Sequence, residues 1–242
     1  MSAINAAADA DPEALRVALD AKAAVKVGPF SRGGTSRVPV QAADHDFQPA
    51  ATATPVGIFL PASDELFLYH VTSKLTSDCL ADCLTRWWER VRACYAHISM
   101  LVLNLDNGPE NHSHRTQFMH RLVAFVHRFG VSVRLAYYPP YHSKYNAIER
   151  CWGILELHWN GALLDSLQAV VAYSASMTWK GRHPVVQVVT TAYQTGVTLT
   201  KEAMAVVEAQ LDRLPSLAKW FVDILYQPPV LGIAPLGRDR SA

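Results

Sequence analysis

Two acidic residues stand where a buried strand is predicted to end and where a helix is predicted to begin. Asp106 follows the apolar run 101–105 and precedes an Asn-Gly turn. Glu149 follows a Pro-Pro turn and a polar basic loop, and it enters an apolar-periodic segment. Carboxylates that separate elements bring to one point are typical ligands of the divalent cations that assist phosphoryl transfer. The two acids therefore predict a metal-dependent phosphoryl-transfer site.

A site with two cations needs a further acidic ligand, and several aspartates compete for that position. Two divalent cations about 4 Å apart activate the attacking oxygen and stabilise the leaving one. Asp20 ends the short apolar run 15–19, whereas Asp44 and Asp46 lie in a segment with little periodicity. Ordinary structural roles also stay open, because Asp106 suits a turn and Glu149 suits the positive end of a helix dipole.

Polar and basic side chains adjoin these acids and are suited to contacting a nucleic-acid backbone. His142, Ser143 and Lys144 form the loop directly before Glu149, and Lys22 lies just after the first apolar run. Imidazole, hydroxyl and ammonium groups all donate hydrogen bonds to phosphate oxygens. Surface lysines are more often simply solvated, so each lysine keeps that ordinary interpretation as well.

The composition is that of a globular protein with one or two domains. Half of the 242 residues are hydrophobic and 18% are charged, which allows a sizeable core. The net charge of +1 gives no general basic footprint for nucleic acid, so any such contact must be local. The four cysteines have neither zinc nor disulfide-framework spacing, and neither a membrane span nor a signal peptide is visible. We therefore expect a reduced, cytoplasmic protein.

Apolar periodicity predicts the elements that must position the acids. Strands are expected at 15–19, 56–60, 65–72, 99–105 and 131–137, and helices at 76–95, 113–129, 149–159, 164–177 and 200–213. Residues 28–55 are predicted to be mostly loop. This order predicts an α/β fold in which helices flank a mixed sheet, with additional C-terminal helices. Ligand sites of open sheets form beyond the strand ends, so the acids can converge there.

Two longer motifs resemble the catalytic domain of bacterial insertion-sequence DDE transposases, in particular the Azo-type insertion-sequence family. They are Leu-Asp-Asn-Gly-Pro-Glu-Asn at 105–111 and Tyr-Pro-Pro-Tyr-His-Ser-Lys-Tyr-Asn-Ala-Ile-Glu-Arg at 138–150. The likeness continues through shorter motifs at 159–161, 177–181 and 196–200 and covers roughly residues 15–226. Residues 17–22, Val-Ala-Leu-Asp-Ala-Lys, are similar to the family's strand that carries its first acid.

This resemblance implies an RNase H-like fold and an Asp-Asp-Glu triad of Asp20, Asp106 and Glu149 that binds two Mg²⁺ or Mn²⁺ ions. Such enzymes hydrolyse a phosphodiester at a transposon end, and the exposed 3′-hydroxyl then attacks target DNA. The implied partners are transposon-end and target DNA, together with a homo-oligomer, and the protein would associate with the nucleoid when it binds DNA. The candidate DNA-binding residues are Lys22, His142, Ser143, Lys144, Asn146 and Arg150.

The chain also departs from the family's pattern. Ala147 stands where relatives often have proline, which is expected to loosen the entry to the helix without removing the chemistry. The predicted organisation is a disordered segment at 1–14, a catalytic domain at 15–226 and a tail at 227–242. The helix-turn-helix that recognises transposon ends in relatives is expected to be missing or to be a separate segment. An inactive truncated remnant and another RNase H-like nuclease are the alternatives.

Overall fold

The computed structural model describes residues 1–30, 32–35, 49, 51–139 and 145–228. Within these residues, six helices flank a mixed sheet of nine strands. The helices are α1 Ser2–Ala10, α2 Ser77–Val91, α3 Thr116–Phe129, α4 Ile148–Trp159, α5 Leu167–Ser176 and α6 Lys201–Glu208. The strands are β1 Ala14–Ala21, β2 Val25–Val27, β3 Ala51–Leu60, β4 Glu65–Val71, β5 Met100–Leu105, β6 Ser132–Tyr137, β7 Val185–Val189, β8 Asp212–Arg213 and β9 Phe221–Ile224.

The sheet has the strand order β7-β4-β3-β1-β5-β6-β9-β8, and β2 pairs with β3 beside this path. Strand β3 is antiparallel to both of its neighbours, β4 and β1, whereas β1, β5 and β6 run parallel. The predicted mixed sheet flanked by helices is therefore confirmed. None of the described helices is long and apolar enough to cross a membrane.

Alternate residues of the central strand β1 serve two different cores. Val17 and Leu19 belong to the larger apolar cluster, which α2 and α3 complete on one face of the sheet. Ala18 belongs to a second cluster on the other face, which contains Trp152 and Trp159 of α4. This alternation follows from the two-residue period of a strand. Asp20 follows Ala18 by two residues in β1, so its side chain points to the face of the sheet on which α4 packs.

The prediction that residues 1–14 are disordered is wrong for residues 2–10, which form α1. Ala8 is buried beside Val102 and Ala136, and Asp9 accepts a hydrogen bond from Arg16 at 2.7 Å. A nine-residue helix is marginal alone, so these tertiary contacts stabilise it. Sequence patterning missed it because its apolar face is made largely of small alanines. The proposed boundaries at 15–226 and 227–242 stay predictions.

The other differences concern short strands and element ends. Strands β2, β7, β8 and β9 were not predicted, and β3 begins at Ala51 within a segment expected to be loop. The helix predicted over 200–213 ends at Glu208, after which 212–213 pairs with β9. Strands of two to five residues carry too few alternations to produce a clear period, so their pairing depends on neighbours distant in sequence.

His70 of β4 is a buried histidine whose titration should destabilise the protein in acid. Its Nε2 lies 2.8 Å from Ser174 Oγ, and that hydroxyl donates to the Val170 carbonyl, so Nε2 carries the donated proton. Burial lowers the pKa of His70 to about 4. The neutral side chain contributes its full stability above about pH 6.5, the pKa of a histidine in the unfolded chain. About 3 kcal/mol of the unfolding free energy is lost as pH falls from there toward 4.

Urea unfolding at pH 7.5 and at pH 4.5 checks this expectation, because the unfolding free energy of His70→Gln should fall by about 2.5 kcal/mol less than that of the wild type. His158→Gln is the matched control, because His158 makes the same contact with Ser176 at the surface. The unfolding free energy of the control should change with pH as that of the wild type does. The same pH dependence in all three proteins would contradict the assignment of acid sensitivity to His70.

Candidate active site

Asp20 and Asp106 lie at adjacent positions on one edge of the sheet. Strands β1 and β5 are parallel, and their register pairs Leu19 with Leu105. The residue after each partner is an aspartate, so the pairing itself brings the two acids together. Both line a cavity of about 120 Å³, together with Gly108 and other residues of the loop after β5. The sheet register thus joins two acids that are far apart in sequence.

The Asp20 carboxyl is buried and is held by an indole. Only 8% of Asp20 is exposed, and Trp152 Nε1 donates a hydrogen bond to its Oδ2 at 2.7 Å. The pKa of Asp20 is raised to about 7, above all by burial, with the negative charges of Asp106 and Glu149 also raising it against the lowering effect of the Trp152 hydrogen bond. An acid that is both desolvated and surrounded by like charge is typical of an active centre.

The loop after β5 holds Asp106 through a chain of hydrogen bonds. Asn111 Nδ2 donates to Asp106 Oδ1 at 2.8 Å, and the Tyr137 hydroxyl donates to the Asn111 backbone carbonyl at 2.7 Å. A Cβ at Gly108 would lie 3.0 Å from Asp106 Oδ2, so the absence of a side chain there lets the loop pass close to the carboxylate. The buried Tyr137 on β6 therefore anchors the orientation of Asp106 through Asn111.

Glu149 enters from the first turn of α4. Burial raises its pKa, the Lys22 ammonium lowers it, and the Asp106 carboxylate raises it. The close approach of α4 to the sheet depends on Gly57, which lies opposite Asp20 in the β1–β3 register. A Cβ at Gly57 would lie 2.5 Å from Trp152 Cη2 and 2.6 Å from Ile148 Cδ1. Three separate elements thus deliver the three predicted acids within electrostatic range of one another.

The three acids are neighbours without forming an assembled metal cage. Over the described ranges, no group of three His, Cys, Asp or Glu side chains is arranged so that it could hold a metal ion. The donor chemistry nevertheless fits Mg²⁺ or Mn²⁺, since both prefer carboxylate oxygens. Their mutual repulsion and the buried, unpartnered Asn111 Oδ1 beside Asp106 also fit a centre that takes up positive charge.

The predicted DNA-binding residues have different surroundings. Lys22 Nζ lies 2.8 Å from Glu156 Oε1, and Arg32 also pairs with Glu156, so this lysine already has a carboxylate partner. Arg150 is exposed. Asn146 is buried, with neither side-chain amide atom hydrogen-bonded to any described residue. Asn146 thus lies in the interior, and its predicted role in binding DNA stays a prediction. His142, Ser143, Lys144, Asp44 and Asp46 lie outside the described residues.

Sequence reasoning missed the residues that position the acids. Trp152 has the helical spacing that is typical of a core residue, and the structure adds its hydrogen bond to Asp20. Asn111 and Glu156 carried no distinct sequence signal. Gly57 did carry one, because an isolated glycine inside a strand often marks the close approach of another element.

Comparisons with known proteins place this geometry in context. Among solved structures, the chain is similar to the Mos1 transposase paired-end complex with left transposon end, at 9% identity and a TM-score of 0.47. It is also similar to the Mos1 mariner paired-end complex with Mn, at 13% identity and a TM-score of 0.45. Each similarity covers 65% of this chain and 46% of the other, so the chain spans less than half the length of these proteins. No curated protein matches the chain.

The RNase H-like fold implied by the resemblance is confirmed, with antiparallel β4, β3 and β1 continuing into parallel β5 and β6 between helical layers. A family model described as the Rhodopirellula transposase DDE domain matches residues 1–225. That match covers most of the chain, including Asp20, Asp106 and Glu149. The chain therefore belongs to this family of transposase DDE domains.

Proposed function

We propose that this chain is the catalytic domain of an insertion-sequence transposase, a polynucleotidyl transferase that cleaves and joins DNA with an Asp-Asp-Glu triad. Asp20, Asp106 and Glu149 are the proposed catalytic residues. The observation that carries the proposal is the β1–β5 register, which sets Asp20 beside Asp106, with Glu149 of α4 close enough to raise the pKa of Asp20. Family membership supports the same reaction class.

The proposed cofactors are two Mg²⁺ or Mn²⁺ ions, held by Asp20, Asp106 and Glu149. When bound, the two cations would activate an attacking oxygen and stabilise the leaving oxygen of the phosphodiester. The protein's contribution is to orient the ligands: the Trp152 indole holds Asp20, and the Asn111 amide holds Asp106. Both donors are neutral, so they orient a carboxylate without cancelling the negative charge that attracts a cation.

Lys22 has a proposed role in binding the DNA backbone. Its ammonium pairs with Glu156 of α4 and lowers the pKa of Glu149 on the same helix. A phosphate is a further acceptor for the same cation. DNA is the proposed partner; a homo-oligomer, a separate helix-turn-helix segment and a cytoplasmic, nucleoid-associated location also stay predictions.

The test is strand cleavage and strand joining on duplex DNA that carries the element's terminal sequence, with and without Mn²⁺. We expect activity that requires the metal. Asp106→Asn and Glu149→Gln should each lower it by more than about 10³-fold, as expected when an essential catalytic group is removed. The surface change Asp165→Asn removes an exposed acid and should leave activity intact.

Three results would contradict the proposal. Full activity in both active-site variants would remove the triad from the mechanism. A folded wild-type protein without metal-dependent cleavage would identify an inactive remnant. Cleavage of RNA in a hybrid without strand joining would identify another kind of RNase H-like nuclease.

A further inference from the structure

We propose that Trp152 is a positioning residue, whose indole N–H ties the Asp20 carboxylate to the helix that carries Glu149. Two of the three proposed metal ligands would then be held as one unit. This inference rests on the proposed function and deepens it, because it assigns the rigidity of the metal site to an aromatic side chain.

The contact joins two elements at the site. Trp152 lies three residues after Glu149 in α4, so the two side chains are neighbours along the helix surface. Its Nε1 reaches Asp20 Oδ2 on β1 at 2.7 Å, and both residues are buried. A short hydrogen bond from a neutral donor to a carboxylate is strong when water is excluded. Any shift of α4 along β1 would have to break it.

The indole ring is itself located by the backbone of a neighbouring strand. A Cβ at Gly57 would come within 2.5 Å of Trp152 Cη2 and 2.7 Å of Cζ2. Gly57 is also the residue paired with Asp20 in the β1–β3 register. The ring therefore occupies the space left by a missing side chain, beside the acid that its N–H holds, and has little room to tilt.

A second tryptophan on the same helix shows that packing alone does not explain the contact. Trp159 is fully buried in the same apolar cluster as Trp152. Its Nε1 has no hydrogen-bond partner among the described residues. Burial of an indole in this cluster thus does not require an acceptor. The N–H of Trp152 is distinguished by pointing at a proposed metal ligand.

The test measures Mn²⁺ binding by the full chain without DNA. Trp152→Phe removes the N–H, and Trp159→Phe makes the same change on the same helix without removing a hydrogen bond. We expect calorimetry to show about 10- to 100-fold weaker Mn²⁺ binding in Trp152→Phe, the usual effect of losing a group that orients a metal ligand. Trp159→Phe should stay within about twofold of the wild type.

Nuclear magnetic resonance gives a second readout of the same contact, independent of the binding constant. In protein labelled with ¹⁵N-tryptophan, Mn²⁺ should broaden the indole resonance that disappears in Trp152→Phe. The resonances of Trp87 and Trp88, which lie in the cluster on the other face of the sheet, should broaden less. Benzothienylalanine at position 152 keeps the ring shape without an N–H, and it should weaken Mn²⁺ binding about tenfold even if Trp152→Phe fails to fold.

The outcomes separate this inference from the proposed function. Equal Mn²⁺ affinities in the two phenylalanine variants, or unchanged affinity with benzothienylalanine, would overturn the positioning role and leave the triad in place. A folded wild-type protein that binds no Mn²⁺ would overturn both the metal site and the role of Trp152.

Discussion

Replacing Asp20 with Asn is expected to stabilise the metal-free protein at pH 8 by about 4 kcal/mol while it removes DNA cleavage. The folded protein holds a carboxylate that is buried and repelled by Asp106 and Glu149, which raises its pKa to about 7. The unfolded chain has no such penalty, so ionised Asp20 opposes folding. Asn keeps the shape and can still accept from Trp152, but it carries no charge.

The pH dependence fixes the sign of this expectation. A carboxyl whose pKa is raised on folding contributes its full stability below the unfolded value near 4, and that contribution is lost as pH rises through about 7. The difference in unfolding free energy between Asp20→Asn and the wild type should therefore be small at pH 4 and should increase to about 4 kcal/mol at pH 8. The acid sensitivity of His70 affects both proteins equally and cancels in the difference.

Urea unfolding in a chelating buffer measures this difference, with Asp165→Asn as the exposed control that should show no such widening. Adding Mn²⁺ at pH 8 should raise the stability of the wild type and have little effect on Asp20→Asn, because a ligand that binds only the folded state stabilises it. A variant no more stable than the wild type at pH 8 would contradict the burial and repulsion assigned to Asp20. The expected gain would mean that the active site is kept at the expense of stability.

The part of this site that could be predicted from the sequence is the part with local signals. Asp106 ends a clear apolar strand and Glu149 begins a helix, so each acid could be placed on an element from its neighbours alone. The sequence around Asp20 did not favour it over Asp44 or Asp46 as the third acid, because its position beside Asp106 depends on the parallel pairing of β1 with β5. The resemblance supplied that choice.

Contacts between distant elements limited the prediction elsewhere. The hydrogen bond from Trp152 to Asp20 joins residues 132 positions apart, and a helical tryptophan gives no sign of which acceptor it will meet. Helix α1 was not predicted for a related reason, since its stability comes from contacts with β5 and β6 that no local pattern reveals. Periodicity identifies which face of an element is buried, but it does not identify the partner.

Gly57→Ala is expected to destabilise the protein by about 3 kcal/mol and to separate α4 from β1, because the added methyl overlaps ring atoms of Trp152. The backbone angle at Gly57 is ordinary for a strand, so the cost comes from the collision and not from glycine's conformational freedom. Glu149 moves with α4, and a displacement of about 1 Å can lower catalysis about 100-fold. DNA cleavage should therefore fall by at least that factor.

The same substitution on the outer side of α4 gives the matched control. Among the described residues outside the backbone of α4 itself, no heavy atom lies within 4 Å of a Cβ added at Gly153, so Gly153→Ala should stabilise the helix by about 0.5–1 kcal/mol and leave cleavage intact. If Gly57→Ala were as stable as the wild type, α4 would not lie against β3 as described. The double variant Gly57→Ala with Trp152→Phe isolates the part of this cost that comes from Trp152, because the smaller ring relieves that overlap while the one with Ile148 stays.

A double-mutant cycle should then show the two losses in unfolding free energy to be less than additive by at least about 1 kcal/mol. Cleavage should not recover, because the N–H that holds Asp20 is still absent from the double variant. Recovery of stability without recovery of cleavage would separate the two contributions of Trp152: its ring sets the distance between helix and sheet, and its N–H sets the orientation of the acid.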